Sequence, residues 1–329
     1  MFFDKPVVLS VEIPEIASLF SESKIVANRY LGGVPNVTWA IDLGHEVIAM
    51  RICNRGYTSA EHLCAELSLL VYLESVGYEY SPRPVRARTG SYAANWRGYP
   101  VIATRLINGE SGEGVPVTPD LCYETGQALG NLRSVLDGCS IRLPSSDRFD
   151  VRGTRLVRLL PETAAVLSWS IDIEAIGAQF AESLSQVGRF STGHQMKLVH
   201  TDVWPPNTIV RQGHLVGIVD FDDLAFGPPI LDLASAFAEF AIDSRDDSII
   251  LDRASKLLDG YRSVRGVVSK EDGDAFLPCI VYSYASWLAC NALHQVPYAE
   301  SEIYDRRLRL LRDTAAFGRW RETIADIIG

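Results

Sequence analysis

The stretch "LVHTDVWPPNTIV" (198–210) sets His200, Asp202 and Asn207 in a segment that also holds two prolines and Trp204. Its flanks, Leu198-Val199 and Thr208-Ile209-Val210, are apolar and rich in β-branched residues, the composition of strands bounding a loop. Downstream, "NTIVR" and "HLVGIVDF" are separated by Gln212-Gly213, which reads as a β-hairpin turn. Hairpin pairing brings the start of the first strand close to the end of the second, so Asn207 and Asp220 lie near each other despite a separation of 13 in sequence. An amide oxygen and a carboxylate converging there are hard oxygen ligands suited to Mg2+, which keeps several waters and shares phosphate oxygens. Asp202, earlier in the loop, is left to face whatever such a metal orients.

This hairpin interrupts a mostly helical region. Before it, a Gly-rich connector, "NGESGEGVP" (108–116), leads to a helix that Thr118 and Pro119 begin, hydroxyl at the cap and proline in the first turn. A second helix is expected at about 172–187, and three or four more after 230. The first hundred residues have a different character. "KIVANRYL", "NVTWAIDL", "EVIAMRIC", "RPVRART" and "GYPVIATRLI" read as five strands, with the polar "GSYAANWR" joining the last two. "SAEHLCAELSLLVYLESVG" switches to helical spacing, with Leu63, Leu67, Leu70 and Leu73 on one side and Gly77 as the stop. The expected fold is α+β in two lobes. Residues 1–104 form a five-stranded antiparallel sheet with one helix inserted after the third strand, and 105–329 form a larger helical lobe carrying the hairpin.

Bulk composition narrows the partners. The 329 residues carry a formal net charge of −10, which disfavours nucleic acid. The six cysteines (53, 64, 122, 139, 279 and 290) show no C-x-x-C pair or zinc spacing and read as thiols of a reduced compartment. The N-terminus carries acids and a proline where a signal peptide needs a basic start, and the longest apolar run, 279–293, is short for a membrane span. The expectation is a soluble, cytoplasmic protein with no membrane or nucleic-acid partner; the sequence carries no signal of oligomeric state.

The spacing H-x-D-x-x-x-x-N followed by D-F is that of the protein-kinase catalytic loop and its metal-binding aspartate. The block "LVHTDVWPPNTIV…LVGIVDFDDLAFGPPILDLA" resembles the aminoglycoside phosphotransferase family, small-molecule kinases of the protein-kinase-like fold with choline-kinase-like and homoserine-kinase-like relatives. "YLGGVPNVTWAID", "EVIAMR", "AEHLCAELSLLVYLESVG", "VIATRLINGE" and "LLDGYRSVRG" are similar to its other pieces, in order. The resemblance implies Asp202 as base or orienter of the acceptor hydroxyl, with His200 beside it in the catalytic loop. It implies Asn207 and Asp220 as Mg2+ ligands, and Asp232 as a brace of that loop that also suits a helix N-cap. Toward ATP or GTP it implies Arg51 on the phosphates with Glu66 as its partner, and Gly32 and Gly33 in the phosphate-facing turn. Adenine would meet backbone near Arg105 and Ile107.

The sequence departs from the protein-kinase pattern in places. Arg51 stands where protein kinases have lysine, and Asp222 takes the glycine place of D-F-G. Trp204 stands where many relatives carry His, and either walls the acceptor pocket or packs. Only residues 224–231 separate Asp223 from Asp232, too few for a peptide-docking platform, so a protein acceptor is disfavoured. Together these features imply a Mg2+-dependent kinase acting on a small-molecule hydroxyl, an aminoglycoside or related amine-bearing antibiotic first. Homoserine, an amino alcohol or a sugar is the alternative acceptor. Glu239, Asp243, Asp246 and Asp247 are candidate ammonium receptors there, with Asp222 also on the acceptor side, or simply a solvated acidic run. An inactive nucleotide-binding module is the other class, motivated by Arg51 and Asp222.

Overall fold

Period-two alternation in "VIAMRI" organises the N-terminal unit: Ile48, Met50 and Ile52 are fully buried on one face of the sheet, which puts Arg51 on the other. In the computed structural model, residues 6–33, 36–55, 59–144, 181–182, 185–187, 196–294, 306–307, 309–310 and 314–328 are described. The chain forms two compact units, Met1–Asn108 and Gly109–Gly329.

In the first unit, β1 (Ala27–Gly32), β2 (Val37–Asp42), β3 (Val47–Ile52) and β6 (Tyr99–Arg105) run side by side, all antiparallel. The far edge of β6 is shared by β4 (Pro84–Val85) and β5 (Ala93–Trp96), which pair with successive halves of it. Six strands therefore occupy five positions. The "GSYAANWR" segment, expected as a polar connection, supplies β5. Arg97 (φ 50°) and Gly98 (φ 84°) form a tight left-handed turn that folds it onto β6. Polar neighbours hid the alternation, in which Ala94 and Trp96 join the core while Asn95 is exposed.

A short helix, α1 (Ile13–Ala17), was also not expected. Ile13, Ile16, Ala17 and Phe20 pack with Ile48, Met50 and Ile52 and close that face of the sheet. The opposite face is covered by α2 (Ala60–Ser75), whose Leu63 and Leu67 meet Cys53 and Ile102. The Ser59 hydroxyl caps α2 by accepting from the His62 N–H (3.1 Å), and Gly77 (φ 76°) ends it in the left-handed conformation.

In the second unit, β9 (Thr208–Arg211) and β10 (His214–Ile218) form the hairpin through Gln212 (φ 54°) and Gly213 (φ 83°). Two short pairings were not legible in the sequence. β7 (Glu110–Ser111) adds to β9, and β11 (Ala225–Gly227) pairs with β8 (Lys197–Val199). Strands of two or three residues leave no period to read.

Among the described residues the helices are α3 (Pro119–Asp137), α4 (Leu231–Phe240), α5 (Leu251–Arg265), α6 (Lys270–His294) and α7 (Thr314–Ile328). Thr118 caps α3, its hydroxyl accepting from the Leu121 N–H at 3.1 Å. The apolar run 279–293 lies inside α6, and no helix among the described residues is long and apolar enough to cross a membrane. The helix expected at about 172–187 falls largely outside the described residues.

Two glycines let α3 and α5 touch backbone to backbone. A Cβ on Gly126 would lie 2.0 Å from the Leu257 carbonyl oxygen, and one on Gly260 would lie 2.0 Å from that of Tyr123. Gly260→Ala is therefore expected to cost about 1–3 kcal/mol through forced separation of the helices. The check is a denaturation midpoint; an unchanged midpoint would show that the helices tolerate a methyl there.

Candidate active site

The loop begins where β8 stops. Val199 is buried in the strand, whereas Thr201 takes a left-handed backbone (φ 73°), costly for a β-branched residue. The Asp232 carboxylate holds this turn, its Oδ2 accepting from the His200 N–H (3.1 Å) and its Oδ1 from the Thr201 N–H (2.8 Å). The Thr201 hydroxyl donates to the Asp223 carbonyl at 2.8 Å. Asp232 is not the N-cap of α4; Ile230 is, without a side-chain bond, and the Asp232 carboxylate reaches the loop from the first helical turn.

His200 is fully buried against Phe221, ring centroids 4.4 Å apart. Its Nε2 lies 3.2 Å from the Val219 carbonyl, which can only accept, so Nε2 carries the proton. Its Nδ1 then accepts from the Asp202 N–H at 3.3 Å. Burial depresses the imidazole pKa, opposed by Asp232, the Val219 carbonyl, Asp222 and Asp223. The ring is a neutral clamp on the loop.

Asp202 and Asn207 meet directly. The Asn207 Nδ2 donates to Asp202 Oδ2 (2.7 Å) and to the Asp202 carbonyl (3.0 Å). Both are acceptors, so the Asn207 Oδ1 faces away from them. Burial, then the charge of Asp223, pushes the Asp202 pKa up to about 7; Arg307 opposes this, Asp222 adds to it, and the Asn207 bond lowers it.

The hairpin brings Asp220 alongside. Val219 N–H donates to the Asn207 carbonyl at 2.9 Å, and Asp220 follows immediately, exposed and left-handed (φ 68°). One amide oxygen and one carboxylate fit Mg2+ held jointly with phosphates, and among the described residues no cluster of three His, Cys, Asp or Glu side chains could hold a metal. Phe221–Asp223 form a 3-10 turn, so the strained backbone sits at Asp220 and the buried Asp222 needs no glycine.

The acids after α4 are engaged with arginines. Glu239 pairs with Arg307 (2.9 Å) and Arg306 (3.8 Å), and Asp247 with Arg309 (3.0 Å) and Arg306 (3.6 Å). Asp243 binds Arg245 through both oxygens, which holds its carboxyl well below the usual range, and Asp246 accepts from the Ser248 N–H. Arg307, absent from the sequence reading, is buried with its guanidinium carbon 4.1 Å from the Trp287 ring centre, 5.5 Å from that of Tyr284 and 5.6 Å from that of Trp204. Glu239 and Arg307 are 68 positions apart, and no local spacing connects them.

In the N-terminal unit, Arg51 and Glu66 form a buried pair at 2.5 Å, with side-chain exposures of 12% and 2%. A residue other than glycine at Gly33 (φ 114°) would place its Cβ 2.8 Å from the Asn36 carbonyl oxygen; Gly32 (φ 102°) is held by backbone conformation alone. Arg105 is exposed, its N–H bonded to the Arg83 carbonyl at 2.8 Å, and the Leu106 N–H goes to Val47 at 2.9 Å. Ile107, half-buried, follows the end of β6.

An antiparallel sheet with one inserted helix, followed by a helical unit whose hairpin carries this loop, is the kinase-like α+β fold. The sequence profile of the phosphotransferase enzyme family (APH) matches residues 26–267, and the chain belongs to that family: it is a small-molecule phosphotransferase with a hydroxyl acceptor. Relatives include the homoserine kinase of Phenylobacterium zucineum (strain HLK1), 25% identical over 242 residues, 71% of this chain and 69% of that one. That of Mesorhizobium japonicum is 26% identical over 260 residues, 75% and 76% of the two chains. Among solved structures, the amicoumacin kinase hAmiN in complex with AMP-PNP, Ca2+ and Ami superposes with a TM-score of 0.73 at 15% identity, over 94% of this chain and 95% of that one. A microcompartment-associated aminopropanol kinase gives 0.70 at 17%, over 97% and 99%.

Two outcomes test this loop. Asp232→Ala orphans two backbone donors and should cost about 3 kcal/mol, and Asp232→Asn, which keeps one acceptor oxygen, about half of that. Denaturant titration checks this, and equal losses would show that charge, not the pair of acceptors, matters. His200 has a folded pKa below its unfolded value of about 6.5. Only the unfolded chain takes up that proton as pH falls through this value, so stability is full above it and declines below. His200→Gln should flatten the decline; parallel pH profiles would mean that the folded protein protonates His200.

Proposed function

We propose that the chain transfers the γ-phosphoryl group of ATP or GTP to a hydroxyl of a small molecule in a Mg2+-dependent reaction, with Asp202 as the group that receives the hydroxyl. The observation that carries this is the Asp202 carboxylate, fixed 2.7 Å from Asn207 on a loop beside which Asp220 emerges. Asn207 Oδ1 and Asp220 would hold Mg2+, which supplies charge neutralisation on the phosphates.

The chain's own residues do the positioning. Asp202 orients the acceptor oxygen in line and takes its proton as the new O–P bond forms and the bond between the β- and γ-phosphates breaks; the diphosphate leaves and the proton passes to solvent. His200 acts through the loop, its ring engaged on both sides by backbone. Arg51, held by Glu66, presents a guanidinium for the donor phosphates, and Gly33 permits close backbone approach. With the Arg105 and Leu106 N–H groups engaged within the sheet, the adenine contact falls to Ile107 or just beyond.

The inactive-module alternative rested on Arg51 and Asp222. The buried Arg51–Glu66 pair and the right-handed turn at Asp222 give each a working geometry, which favours the enzyme. Between acceptors, an amine-bearing antibiotic drew on Glu239, Asp243, Asp246 and Asp247 as ammonium receptors. Their engagement by arginines and backbone favours a smaller acceptor of the amino-acid or amino-alcohol kind. The homoserine kinases among the relatives agree with that.

The test is coupled ADP and GDP release with Mg2+ against aminoglycosides, amino alcohols, hydroxy amino acids and sugars. Asp202→Asn should lower acceptor-dependent release roughly a hundred- to ten-thousand-fold. Asn207→Ala should raise the Mg2+ concentration needed for half-maximal rate. Full turnover by Asp202→Asn would remove the assignment.

A further inference from the structure

Arg307 is a buried cation that the phosphotransfer chemistry above does not use. It is 4% exposed, lies among the rings of Trp204, Tyr284 and Trp287, and pairs with Glu239 through one terminal nitrogen. Its Nε and the Nε1 of Trp204 are both buried and have no hydrogen-bond partner among the described residues. The two side chains are neighbours, the guanidinium carbon of Arg307 lying 5.6 Å from the centre of the Trp204 ring, and Trp204 stands two residues after Asp202. Buried donors are nearly always paired, and what sets these two apart from other unpaired donors is their place beside the loop that carries Asp202.

The local charge sets the sign of a ligand bound there. Among the described residues, Arg306, Arg307 and Arg309 form ion pairs with Glu239 and Asp247, and Asp243 is taken by Arg245. Three guanidinium groups thus share two carboxylates in these pairs, and Arg307 itself is buried among aromatic rings, where its charge is screened less than at the surface. A guanidinium edge and an indole N–H are donors only, so what they recognise is a planar group with accepting oxygens. The charge of Arg307 also acts on Asp202, which places it within electrostatic reach of the acceptor hydroxyl's position.

We propose that Arg307 and Trp204 form a carboxylate-binding subsite for the acceptor, which is therefore a small hydroxy acid of the hydroxy amino acid class. Its hydroxyl reaches Asp202 while its carboxylate takes the Nε–H of Arg307 and the Nε1–H of Trp204, and its methylenes lie along the Trp204 and Trp287 rings. This subsite rests on the phosphotransferase reading above and names the substrate class of that same site. An aminoglycoside or a simple amino alcohol, lacking the carboxylate, would leave both donors unpaired and place a cation beside a guanidinium.

Matched acceptors isolate the carboxylate. Homoserine and 3-aminopropanol, serine and ethanolamine, and threonine and 1-amino-2-propanol each differ only by that group, and 4-hydroxybutyrate keeps it while losing the amine. Each is assayed by coupled diphosphate release, and its binding is measured by calorimetry in the presence of Mg2+ and AMP-PNP. The proteins are wild type, Trp204→Phe and Arg307→Lys, with melting temperatures to show that the variants fold.

The carboxylate-bearing member of at least one pair should be preferred by about a hundredfold or more in kcat/KM. Both variants should raise its KM and Kd on the order of tenfold, Lys keeping the charge but not the fork, and leave the nucleotide KM in place. Equal or better use of the decarboxylated member would overturn the subsite. So would a change confined to the nucleotide KM, or the absence of calorimetric binding by every carboxylate. No diphosphate release with any acceptor, aminoglycosides included, would remove the kinase reading. The binding difference between wild type and Arg307→Lys would still decide the subsite.

Discussion

The catalytic loop hangs on one carboxylate. Asp232 accepts the N–H groups of two consecutive residues, His200 and Thr201, and so fixes the point where β8 gives way to the loop. A left-handed threonine is unfavourable by about 1–2 kcal/mol, and charge-assisted bonds to two backbone donors are the kind of interaction that offsets it. The carboxylate is rigid because its helix is. Leu231, Leu233, Ala234, Ala236, Phe237 and Ala238 of α4 are all buried, so the brace belongs to the packed core of the unit rather than to its surface. Core packing thereby sets where the loop's polar groups stand.

Charge in the C-terminal unit is arranged in two layers. Around the loop, burial of Asp202 raises its pKa, and the nearby charges of Asp223 and Asp222 raise it further. Beyond α4, guanidinium groups outnumber the carboxylates they pair with among the described residues, and a buried arginine comes within reach of Asp202. The formal net charge of −10 says nothing of this local reversal, since recognition depends on which side chains meet. That is why an acidic chain can build a cationic corner.

The sequence made the hairpin, the loop and the inserted helix legible because each has a local signature: β-branched flanks, a Gln-Gly turn, and leucines at helical spacing with Gly77 as the stop. It left β5 hidden, since "GSYAANWR" looks polar until the turn at Arg97-Gly98 puts Ala94 and Trp96 inward. The helix at Ile13–Ala17 was obscured by Pro14 and the surrounding acids, although 13, 16, 17 and 20 share one helical face. Arg307 was out of reach for a different reason. Its partner Glu239 is 68 residues away and its aromatic neighbours come from other segments, so only tertiary packing joins them. Motif reading finds what a loop holds together and misses what helices bring to it.

The same loop shows why its three oxygen groups act as a unit. The Asp202 N–H donates to His200 Nδ1, His200 Nε2 donates to the Val219 carbonyl, the Val219 N–H donates to the Asn207 carbonyl, and the Asn207 amide returns to Asp202. The circuit closes, and Asp220 is attached to it through Val219. Moving any one member strains at least two bonds, so Asp202 and Asn207 keep their direct contact and Asp220 its place beside them. A buried neutral imidazole suits the centre of such a circuit because it offers one donor and one acceptor on opposite sides of a rigid ring. An imidazolium could not accept the Asp202 N–H, and the circuit would open at the residue whose position the chemistry depends on.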